Sequence, residues 1–385
     1  MLKCRVCKST GLEKVLSLGN QPLVNSYLTK KSDESPLYPL ELMRCTVCSL
    51  IQLSYVVPKE KLFPDDYPYI PSVSKTNLEH FESIATQLVE ELDLKTNSLV
   101  VDVGSNDGSL LKAFKSRGTK VFGIEPANDL AKKATLDGIP TQTGFFNRQM
   151  AEGVAFQHGK AKLVTMTNVF AHIDDLHECL EALDALLDED GVFFAQFPDV
   201  RNLLKENQFD TIYHEHLSYF TYEPLYHLFA NSPFELYKME SSKLHGGSMK
   251  IQVRRRNNPF GSFIFNTQTI ASELRTTLAS YKAEGKKIVA FGAAAKGMIL
   301  LNYCKLDNSI IDYVADGTPY KQGKFTPATR IPIVPEEHLL EDPPDIVLIL
   351  AWNFKDEIMK KLAGRGYTFV VPIPHVQIID EKRDQ

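Results

Sequence analysis

The sequence predicts an α/β protein of several domains, with a doubly wound parallel sheet at its centre. Three observations lead to this prediction. The chain has 385 residues, which is too many for one ordinary hydrophobic core. Between residues 75 and 234, apolar runs alternate with amphipathic segments, as strands and helices do in such sheets. Four cysteines stand in two short pairs near the start of the chain, which indicates a separate metal-binding module.

The first predicted element is this cysteine-rich module, which we place at residues 1–74. Cys4 and Cys7 form one CxxC pair, and Cys45 and Cys48 form the other. Four thiolates can close a tetrahedron around Zn²⁺ and leave no open position, so we expect the metal to stabilise the fold and not to take part in catalysis. Two disulfides are the alternative interpretation, and a reducing compartment disfavours them.

A proline- and tyrosine-rich passage ends the module. Four prolines between residues 58 and 71 exclude a continuous helix. Tyr67 and Tyr69 alternate with these prolines. The passage is therefore predicted to be an ordered loop, either a surface turn or a wall of the active site. Residues 75–94 then show apolar side chains at helical spacing, which predicts a helix packed beside the central sheet.

The stretch SLVVDVGSNDGSLLKAF, residues 98–114, predicts a strand, a tight loop and a helix. The strand carries Asp102, the loop carries Gly104 and Gly108, and the following strand ends in Glu125. An acidic residue about 20 positions beyond such glycines accepts hydrogen bonds from ribose hydroxyls. A pyrophosphate needs glycine where Asn106 stands, whereas S-adenosylmethionine has no phosphate. We therefore predict S-adenosylmethionine as the cofactor, and an ordinary structural turn as the alternative.

Further polar residues are predicted at the same edge of the sheet, where the carboxyl ends of parallel strands bind ligands. One strand ends near Asn168, with His172 just beyond it, and the next strand, VFFAQFPD, ends with residues 196–199 at this edge. A single histidine is often structural, so its position at a strand end is the reason to consider His172 functional.

The segment FDTIYHEHLSYFT places Tyr213, His214, Glu215 and His216 side by side. A histidine titrates near neutral pH, and a neighbouring carboxylate or phenol can set its tautomer and pKa, so this cluster predicts general acid–base catalysis. A metal site is an alternative, because His214 and His216 would share one face of a strand. That site would lack a third ligand at suitable spacing. A purely structural role also stays open.

A third domain is predicted for residues 235–385. Two strands are joined through LHGGS, which contains His245 and Gly246, and a later strand–glycine–helix unit contains Lys296 in GAAAKG. Small residues at a helix start, together with a lysine, can hold phosphate through backbone N–H groups. A nucleotide diphosphate is therefore the predicted guest of this domain, and a structural role for Lys296 is the alternative.

Composition excludes several classes of protein. The net charge is −5 and no long block of lysine or arginine occurs, which argues against a nucleic-acid-binding surface. No apolar stretch approaches the roughly 20 residues of a membrane helix. Nothing at the start resembles a signal peptide, so we expect a cytoplasmic protein, and we favour a monomer.

Several motifs, taken together and in order, resemble one family of enzymes. The matching stretches are CRVC with CTVC, YPYIPSVSKT, VVDVGSNDGSLL, GIEPA, NVFAHIDD, YHEHLSYF, LHGGS, and FGAAAKG with YKQGKFTP. The chain is similar over essentially its whole length to the zinc-containing nucleotide-diphosphate-deoxysugar 3-C-methyltransferases of the tetronitrose and mycarose type. One departure is the loop TPATR at residues 326–330, where the family pattern leads us to expect a glycine.

The resemblance implies three domains: a zinc module, a methyltransferase core at residues 75–234, and a carboxyl-terminal α/β domain, with the sugar nucleotide bound between them. It also implies that Tyr213, Glu215 and His216 carry the chemistry, with His172 close by. In the mechanism that we expect, His216 removes the C3 proton of a 4-keto-6-deoxysugar nucleotide, and Tyr213 or His172 stabilises the enolate. Glu215 would orient the base, and the enolate would attack the sulfonium methyl.

Residues and resemblance together give a list of predicted site residues. The catalytic set is His216, Glu215, Tyr213 and His172; the cofactor set is Asp102, Gly104, Asn106, Gly108, Glu125, Pro126 and Asn168; the substrate set is Tyr67, Tyr69, His214, His245, Gly246 and Lys296; and the metal set is Cys4, Cys7, Cys45 and Cys48. The alternatives are methylation at oxygen or nitrogen of a nucleotide sugar, a sugar-nucleotide-binding protein without turnover, and NAD-dependent oxidoreduction, which Asn106 disfavours.

Overall fold

The computed structural model describes residues 2–230, 232–242, 247–256 and 261–381. The chain divides into two compact units, Met1–Gly261 and Ser262–Gln385. Each unit contains a mainly parallel sheet with helices, and the first unit has an antiparallel sheet as well, so the predicted α/β class is confirmed. No helix within the described ranges is long and apolar enough to cross a membrane.

The cysteine-rich module is built on a four-stranded antiparallel sheet with the order β1-β2-β3-β9. Its strands are β1 (Leu12–Pro22), β2 (Leu37–Cys45), β3 (Ile51–Leu53) and β9 (Ser218–Tyr219). The fourth strand follows the predicted catalytic segment in sequence and pairs with β3, so that Ile51 lies opposite Tyr219. The module and the methyltransferase core therefore share a sheet and belong to one compact unit.

The core is a seven-stranded sheet with the order β10-β11-β8-β7-β4-β5-β6. Its strands are β4 (Leu99–Val103), β5 (Lys120–Glu125), β6 (Thr141–Thr143), β7 (Ala161–Thr167), β8 (Leu187–Pro198), β10 (Phe234–Ser242) and β11 (Ser248–Arg255). Every residue of β4 is buried, because helices cover both faces of such a sheet. The strand order reverses between β4 and β7, and ligands bind at such a reversal, outside the carboxyl ends of the strands.

The helices of the first unit lie between these strands in sequence. They are α1 (Lys59–Leu62), α2 (Lys75–Glu91), α3 (Ser109–Ser116), α4 (Asn128–Leu136), α5 (Arg148–His158), α6 (Leu176–Leu186), α7 (Val200–Glu206) and α8 (Tyr222–Ala230). The helix predicted after the proline-rich loop is α2, and its first turn is capped by Ser74, whose Oγ accepts from the backbone N–H of Asn77 at 3.4 Å. One short 3₁₀ turn, Phe170–His172, ends at a predicted catalytic residue, and another, Phe209–Thr211, precedes the predicted catalytic segment in sequence.

The sequence predicts that a third domain begins at residue 235, whereas the structure divides the chain later. Strand β11 is antiparallel to β8, so that Ser248 pairs with Pro198 and Arg254 with Val192, and β10 pairs with β11 in turn. These backbone hydrogen bonds make both strands part of the core sheet. The division between the compact units therefore falls at Gly261.

The second unit is a six-stranded sheet with the order β14-β13-β12-β15-β16-β17, parallel except for the last strand. Its strands are β12 (Ile288–Phe291), β13 (Tyr313–Ala315), β14 (Ile333–Val334), β15 (Ile346–Ile349), β16 (Thr368–Val371) and β17 (Gln377–Asp380). Its helices are α9 (Gly261–Ala283), α10 (Ala295–Tyr303), α11 (His338–Glu341) and α12 (Lys355–Leu362). The strand order reverses between β12 and β15, beside the glycine loop that precedes α10.

Candidate active site and metal centre

A cavity of about 1000 Å³ opens in the first unit at the carboxyl ends of β4, β5 and β7. The walls come from the core sheet, from the proline-rich loop, and from the connection between β1 and β2. This volume lies at the upper end of the range for small-molecule sites, which reaches about 1000 Å³. The cavity is therefore large enough for a cofactor together with part of a second substrate.

The loop after β4 closes one side of the cavity with three residues in the left-handed conformation. Gly104, Asn106 and Gly108 have φ values of 68°, 52° and 75°. A Cβ added to Gly104 would lie 2.5 Å from the Cγ2 of Val169, so a larger residue does not fit there. The Asn106 side chain donates from Nδ2 to the Tyr69 carbonyl at 2.9 Å. The predicted cofactor loop is thereby joined to the proline-rich loop.

Two buried carboxyl groups lie at this edge of the sheet. Glu125 accepts from the backbone N–H of Asn106 at 2.7 Å and from that of Ala127 at 2.9 Å. Asp102 accepts from the Thr165 hydroxyl at 2.6 Å. Burial raises the pKa of Glu125, and burial raises the pKa of Asp102 to about 7. Each carboxylate oxygen has two lone pairs, so Glu125 can also accept from ribose hydroxyls.

The remaining predicted cofactor residues, Pro126 and Asn168, also line the cavity. Asn168 has a φ of 57°, and its N–H donates to the Gln196 carbonyl at 2.7 Å, which links the ends of β7 and β8. The site thus combines carboxylates for hydroxyl or ammonium donors with a glycine loop that carries a side chain at Asn106. This donor set fits S-adenosylmethionine, which carries an ammonium, a sulfonium and a ribose.

The predicted catalytic segment forms a tight turn. The N–H of His216 donates to the carbonyl of Tyr213 at 3.0 Å, so the two residues stand at the ends of a four-residue turn. Their ring centroids are 4.0 Å apart, and both rings line the cavity. The His172 ring lies 5.2 Å from that of His216. Three of the four predicted catalytic side chains are therefore brought together at one wall of the cavity.

His214 is placed differently from its prediction as a substrate-binding residue. The turn directs it away from His216, and it is not among the described residues that line the cavity. Its ring is 2% exposed, and its Nε2 lies 3.3 Å from the Tyr38 carbonyl of the N-terminal sheet. The shared strand face that a metal site would need is also absent from this segment, because residues 213–216 form a turn.

The tautomer of His216 is set by a backbone carbonyl. Its Nδ1 lies 2.9 Å from the Thr211 carbonyl oxygen, which can only accept, so Nδ1 carries the proton and Nε2 keeps its lone pair. Burial lowers the pKa of His216 to about 4. Burial, and secondly the nearby His216, lower the pKa of His172 well below its usual value. The His172 Nε2 is buried and has no hydrogen-bond partner among the described residues.

Glu215, the fourth predicted catalytic residue, is bound to two other side chains that line the cavity. It accepts from the Tyr67 hydroxyl at 2.8 Å and from the Asn25 side-chain amide at 2.7 Å. The expectation that Glu215 orients His216 is wrong, since the Thr211 carbonyl does so. Burial raises the pKa of Glu215; burial, followed by the Glu215 charge, also raises the pKa of both Tyr67 and Tyr213.

Tyr67 and Tyr69 both line the cavity, so the proline-rich loop forms one of its walls. Sequence reasoning missed Asn25 and Phe63, whose ring lies 5.8 Å from that of His172. Phe63 belongs to the proline-rich passage, in which only the tyrosines were singled out as site residues, and Asn25 lies in a strand connection that carries no motif. The role of Thr211 was also missed, because a backbone carbonyl leaves no signal in residue type.

The other predicted substrate residues are not among the described residues that line the cavity. Lys296 belongs to the second unit, where its exposed Nζ donates to Asn353 at 2.6 Å and lies 4.8 Å from the Trp352 ring centroid. His245 and Gly246 lie outside the described residues.

The four paired cysteines come together as predicted. Their Sγ atoms all lie within 4.8 Å of one another, with 3.4 Å between Cys4 and Cys48 and 3.5 Å between Cys7 and Cys45. A tetrahedral zinc with Zn–S bonds of about 2.3 Å separates its sulfurs by about 3.8 Å. All six cysteines of the chain are free thiols. The cluster therefore fits a closed, structural Zn²⁺ site.

Comparison with known proteins gives matches along the whole chain. Residues 4–63 match a family model described as a putative zinc binding domain, residues 78–238 a methyltransferase domain, and residues 252–374 a C-methyltransferase C-terminal domain. C-methyltransferase NovU of Streptomyces niveus is 34% identical over 406 aligned positions, which cover 98% of this chain and 96% of NovU.

Solved structures overlap with about half of the chain. Magnesium protoporphyrin IX methyltransferase of Synechocystis, with bound S-adenosylhomocysteine, is 16% identical and covers 46% of this chain and 83% of its own, with a TM-score of 0.37. A SAM-dependent methyltransferase of Anabaena variabilis is 16% identical and covers 46% of this chain and 84% of its own, with a TM-score of 0.36.

The resemblance that the motifs indicated is confirmed by the NovU match and by the three domain models, which follow one another along the chain in the expected order. The predicted cofactor, S-adenosylmethionine, and the predicted zinc agree with these domains and with the cysteine cluster. The chain belongs to the family of zinc-containing, S-adenosylmethionine-dependent C-methyltransferases.

Proposed function

We propose that this enzyme methylates C3 of a nucleotide-diphosphate 4-keto-6-deoxysugar, by way of an enolate. The observation that carries the proposal is the His216 ring, held with its Nε2 lone pair free at a wall of the large cavity. The similarity to C-methyltransferase NovU supports carbon as the accepting atom. The nucleotide sugar is supported by the family resemblance and by the second α/β unit.

Carbon needs activation before it can accept a methyl group. A C–H bond becomes acidic beside a ketone, because the carbanion is delocalised onto the carbonyl oxygen as an enolate. A 4-keto group provides this activation at C3. The enzyme must therefore supply a general base for the C3 proton and hydrogen-bond donors for the oxygen at C4.

His216 is the proposed base. The Thr211 carbonyl holds the Nδ1 proton, so Nε2 is the nitrogen that can take a proton from substrate. Because burial lowers the pKa of His216 to about 4, the ring is neutral at physiological pH and ready to accept. A buried histidine of low pKa is a weak base. It becomes more basic when negative charge develops beside it, as happens when the enolate forms.

His172 and Tyr213 are the proposed donors to the enolate oxygen. The His172 Nε2 is buried and without a partner among the described residues, so a proton on that nitrogen is available to substrate. The pKa of Tyr213 is raised by burial and by the charge of Glu215, which keeps its hydroxyl protonated as a donor. Donors fixed before the reaction stabilise developing charge without reorganisation.

When bound, S-adenosylmethionine would supply an electrophilic sulfonium methyl group, with a neutral sulfide as the leaving group. The C3–H bond breaks to give its proton to His216, and the electron pair of the enolate forms the new C3–CH₃ bond. Asp102 and Glu125, with the glycine loop, are the proposed holders of the cofactor. The rings of Phe63 and Tyr67, whose centroids are 5.5 Å apart, line the same cavity.

The experiment compares His216→Asn with His214→Gln, a matched control whose side chain lies outside the cavity. Loss of a positioned general base costs about 10²–10⁴ in rate. We expect His216→Asn to lose kcat to this extent while binding S-adenosylmethionine normally, and His214→Gln to stay close to wild type. Release of S-adenosylhomocysteine with a panel of 4-keto-sugar nucleotides is the assay, and melting temperatures verify that both variants fold.

The product decides the position. A methyl signal on a quaternary C3 in the NMR spectrum supports the proposal, whereas a methoxy or N-methyl signal contradicts it. Near-native transfer by His216→Asn would show that another group is the base.

A further inference from the structure

Arg5 occupies an unusual place for an arginine. It stands between Cys4 and Cys7 in the first metal-binding pair, yet it is only 4% exposed. Burial lowers its pKa, which the nearby Asp174 carboxylate partly offsets. An arginine is rarely buried unless all of its donors find acceptors.

The hydrogen bonds that Arg5 donates go to residues outside the cysteine cluster. Its guanidinium donates to the Asp174 carboxylate at 2.8 Å, to the Leu53 carbonyl at 3.1 Å and to the Leu217 carbonyl at 3.3 Å. Its backbone N–H donates to the Gln52 side chain at 2.9 Å. A single side chain thus joins the metal-binding loop to three other segments of the first unit.

Two of these acceptors flank the proposed catalytic histidines. Asp174 follows His172 by two residues, and Leu217 is the residue after His216. The two segments are also joined to each other, since the N–H of Leu217 donates to the Ala171 carbonyl at 2.9 Å. Arg5 therefore binds the segments that carry both histidines, one through the Asp174 carboxylate and the other through the Leu217 carbonyl.

We propose that Arg5 is a positioning residue for the active site, which couples metal binding at the four cysteines to the geometry of the His172–His216 pair. The cysteine cluster fixes the backbone of residues 4–7, and through it the guanidinium. The guanidinium fixes the segments that carry the two rings. The inference rests on the proposed function only for its kinetic readout.

Arginine suits this role for a geometric reason. Its planar fork presents several N–H groups at fixed angles, so that one side chain can serve a carboxylate and two carbonyls at once. A lysine at this position would keep the charge but not the directions. Arg5→Lys therefore separates the effect of charge from that of geometry.

The chain supplies a matched control in the same loop. Lys8 lies 3.5 Å from Asp175, so it also bridges the metal-binding loop and the segment after His172. Both side chains of this pair are about half exposed, whereas in the Arg5–Asp174 pair the arginine is buried, and ion pairs that are exposed on both sides contribute little. Lys8→Ala should therefore leave the active site unchanged, although it removes a contact between the same two segments.

The test measures hydrogen exchange by mass spectrometry on the full-length, zinc-loaded protein, with Arg5→Lys, Asp174→Asn and Lys8→Ala. Peptides that cover residues 169–177 and 211–219 report on the histidine segments, and a peptide over residues 99–103 reports on the core. We expect Arg5→Lys to raise exchange in the histidine segments by about tenfold or more, with residues 99–103 unchanged and zinc content retained. Asp174→Asn should raise exchange at 169–177 alone, and Lys8→Ala at neither segment.

Chelation tests the coupling itself. Removal of zinc from the wild-type protein should raise hydrogen exchange in the two histidine segments. In Arg5→Lys it should raise this exchange little further, because the hydrogen bonds from Arg5 to these segments are already lost. In the kinetic readout, Arg5→Lys should lower kcat by about 10- to 100-fold, since small misplacements of catalytic groups have effects of this size. The KM of S-adenosylmethionine should stay near that of wild type.

Unchanged exchange in Arg5→Lys, or unchanged exchange in the wild-type protein after zinc removal, would overturn the proposal. Equal increases in all peptides, the core strand included, would also overturn it, because Arg5 would then serve the fold in general. None of the exchange results depends on the sugar substrate. A wrong assignment of the substrate would therefore leave this test intact.

Discussion

The side-chain amide of Asn25 donates to the carboxylate of Glu215 at 2.7 Å, so a residue of the N-terminal module holds an acidic group in the catalytic turn. The same amide lies 3.1 Å from the Tyr67 hydroxyl, which donates to the other oxygen of Glu215. All three side chains line the cavity. The connection between β1 and β2 thus lines the proposed active site, and the N-terminal module contributes to it with a side chain as well as with its metal site.

Asn25→Asp should lower activity in a manner that depends on pH. A second carboxylate at hydrogen-bond distance from Glu215 cannot ionise together with it, so one of the two stays protonated and the apparent pKa of the pair rises. Above that pKa the two charges repel, and loss of a hydrogen bond to a charged group costs about 1.5 kcal/mol or more, roughly tenfold in kcat/KM.

The measurement for this variant is kcat/KM between pH 6 and 9, with Asn25→Ala as the control that removes the donor without adding charge. Asn25→Asp should lose more activity at pH 9 than at pH 6, whereas the loss in Asn25→Ala should be similar across the range. Parallel profiles for the two variants would show that Asn25 does not act through the ionisation of Glu215.

The wild-type enzyme should keep its activity further into the acid range than an ordinary histidine base permits. Burial lowers the pKa of His216 to about 4, from its usual 6.5. The acid limb of kcat/KM for the sugar substrate, measured with saturating S-adenosylmethionine so that the ionisation of Asp102 does not limit cofactor binding, should therefore be centred below pH 5. Half-maximal kcat/KM at pH 6.5 would contradict this prediction.

The lowered pKa of His216 also makes the folded enzyme less stable at acid pH. The unfolded chain binds a proton at His216 below about pH 6.5, and the folded chain does so only near pH 4, so the free energy of unfolding falls as the pH falls through this window. Circular dichroism at each pH shows whether the protein is still folded where the kinetics are measured.

Asp102→Asn should stabilise the cofactor-free protein at alkaline pH and not at acid pH. Burial raises the pKa of Asp102 from 3.8 to about 7, so the unfolded chain releases this proton at lower pH than the folded chain. The free energy of unfolding therefore falls as the pH rises from about 4 to about 7.

Asparagine removes this ionisation and still accepts from the Thr165 hydroxyl. We expect a gain on the order of 4 kcal/mol at pH 8 and almost none at pH 4, from urea unfolding at the two pH values. Thr165→Val is the control, because it removes the hydrogen bond and leaves the carboxyl group. A gain from Asp102→Asn of equal size at both pH values would exclude ionisation as its cause.

The sequence was informative where a residue type determines the local backbone or the ligand. The loop after β4 could be predicted because glycines at 104 and 108 have left-handed φ values, and the metal site because paired cysteines have few other uses. The helix at residues 75–91 followed from its apolar spacing. These features depend on neighbours in sequence.

The rest depends on contacts between distant segments, which a single sequence does not record. The Asn25–Glu215 pair joins residues 190 positions apart, and β9 joins the catalytic turn to a sheet that begins at Leu12. The turn at residues 213–216 was missed because alternating polar and apolar residues also suit a strand. His214 was therefore placed on the same side as His216.

The cysteine cluster should hold one zinc ion per chain. Cys45→Ser removes one of four ligands, and serine binds Zn²⁺ poorly because its hydroxyl does not ionise near neutral pH. We expect this variant to lose most of its zinc and to unfold at lower temperature, since the binding energy of a structural zinc is folding energy. Atomic absorption and thermal melting are the measurements.

Cys304→Ser is the control for the zinc experiment, because it exchanges a buried free thiol in the second unit and leaves the cluster complete. It should keep its full zinc content. Full zinc content in Cys45→Ser, or none in the wild-type protein, would contradict the assignment of the metal.

Ala328→Gly should stabilise the second unit. Ala328 has a φ of 62°, in the left-handed region, and lies exposed in the loop where a glycine is expected from the resemblance. The conformation is held by its neighbours, since Thr326 and Thr329 join their hydroxyls at 2.7 Å and the N–H of Ile331 donates to Thr326 at 2.8 Å. The loop therefore cannot relax to relieve the strain.

A left-handed alanine destabilises the folded chain by about 1–2 kcal/mol, and glycine removes this strain. The greater freedom of glycine in the unfolded chain offsets about 0.5–1 kcal/mol of the gain. The net gain for Ala328→Gly is about 0.5 kcal/mol. Ala363, exposed with a φ of −60°, is the matched control, because glycine there brings only the entropic loss. Urea unfolding should show opposite signs for the two variants. A loss of stability in both would mean that the backbone at Ala328 is not strained.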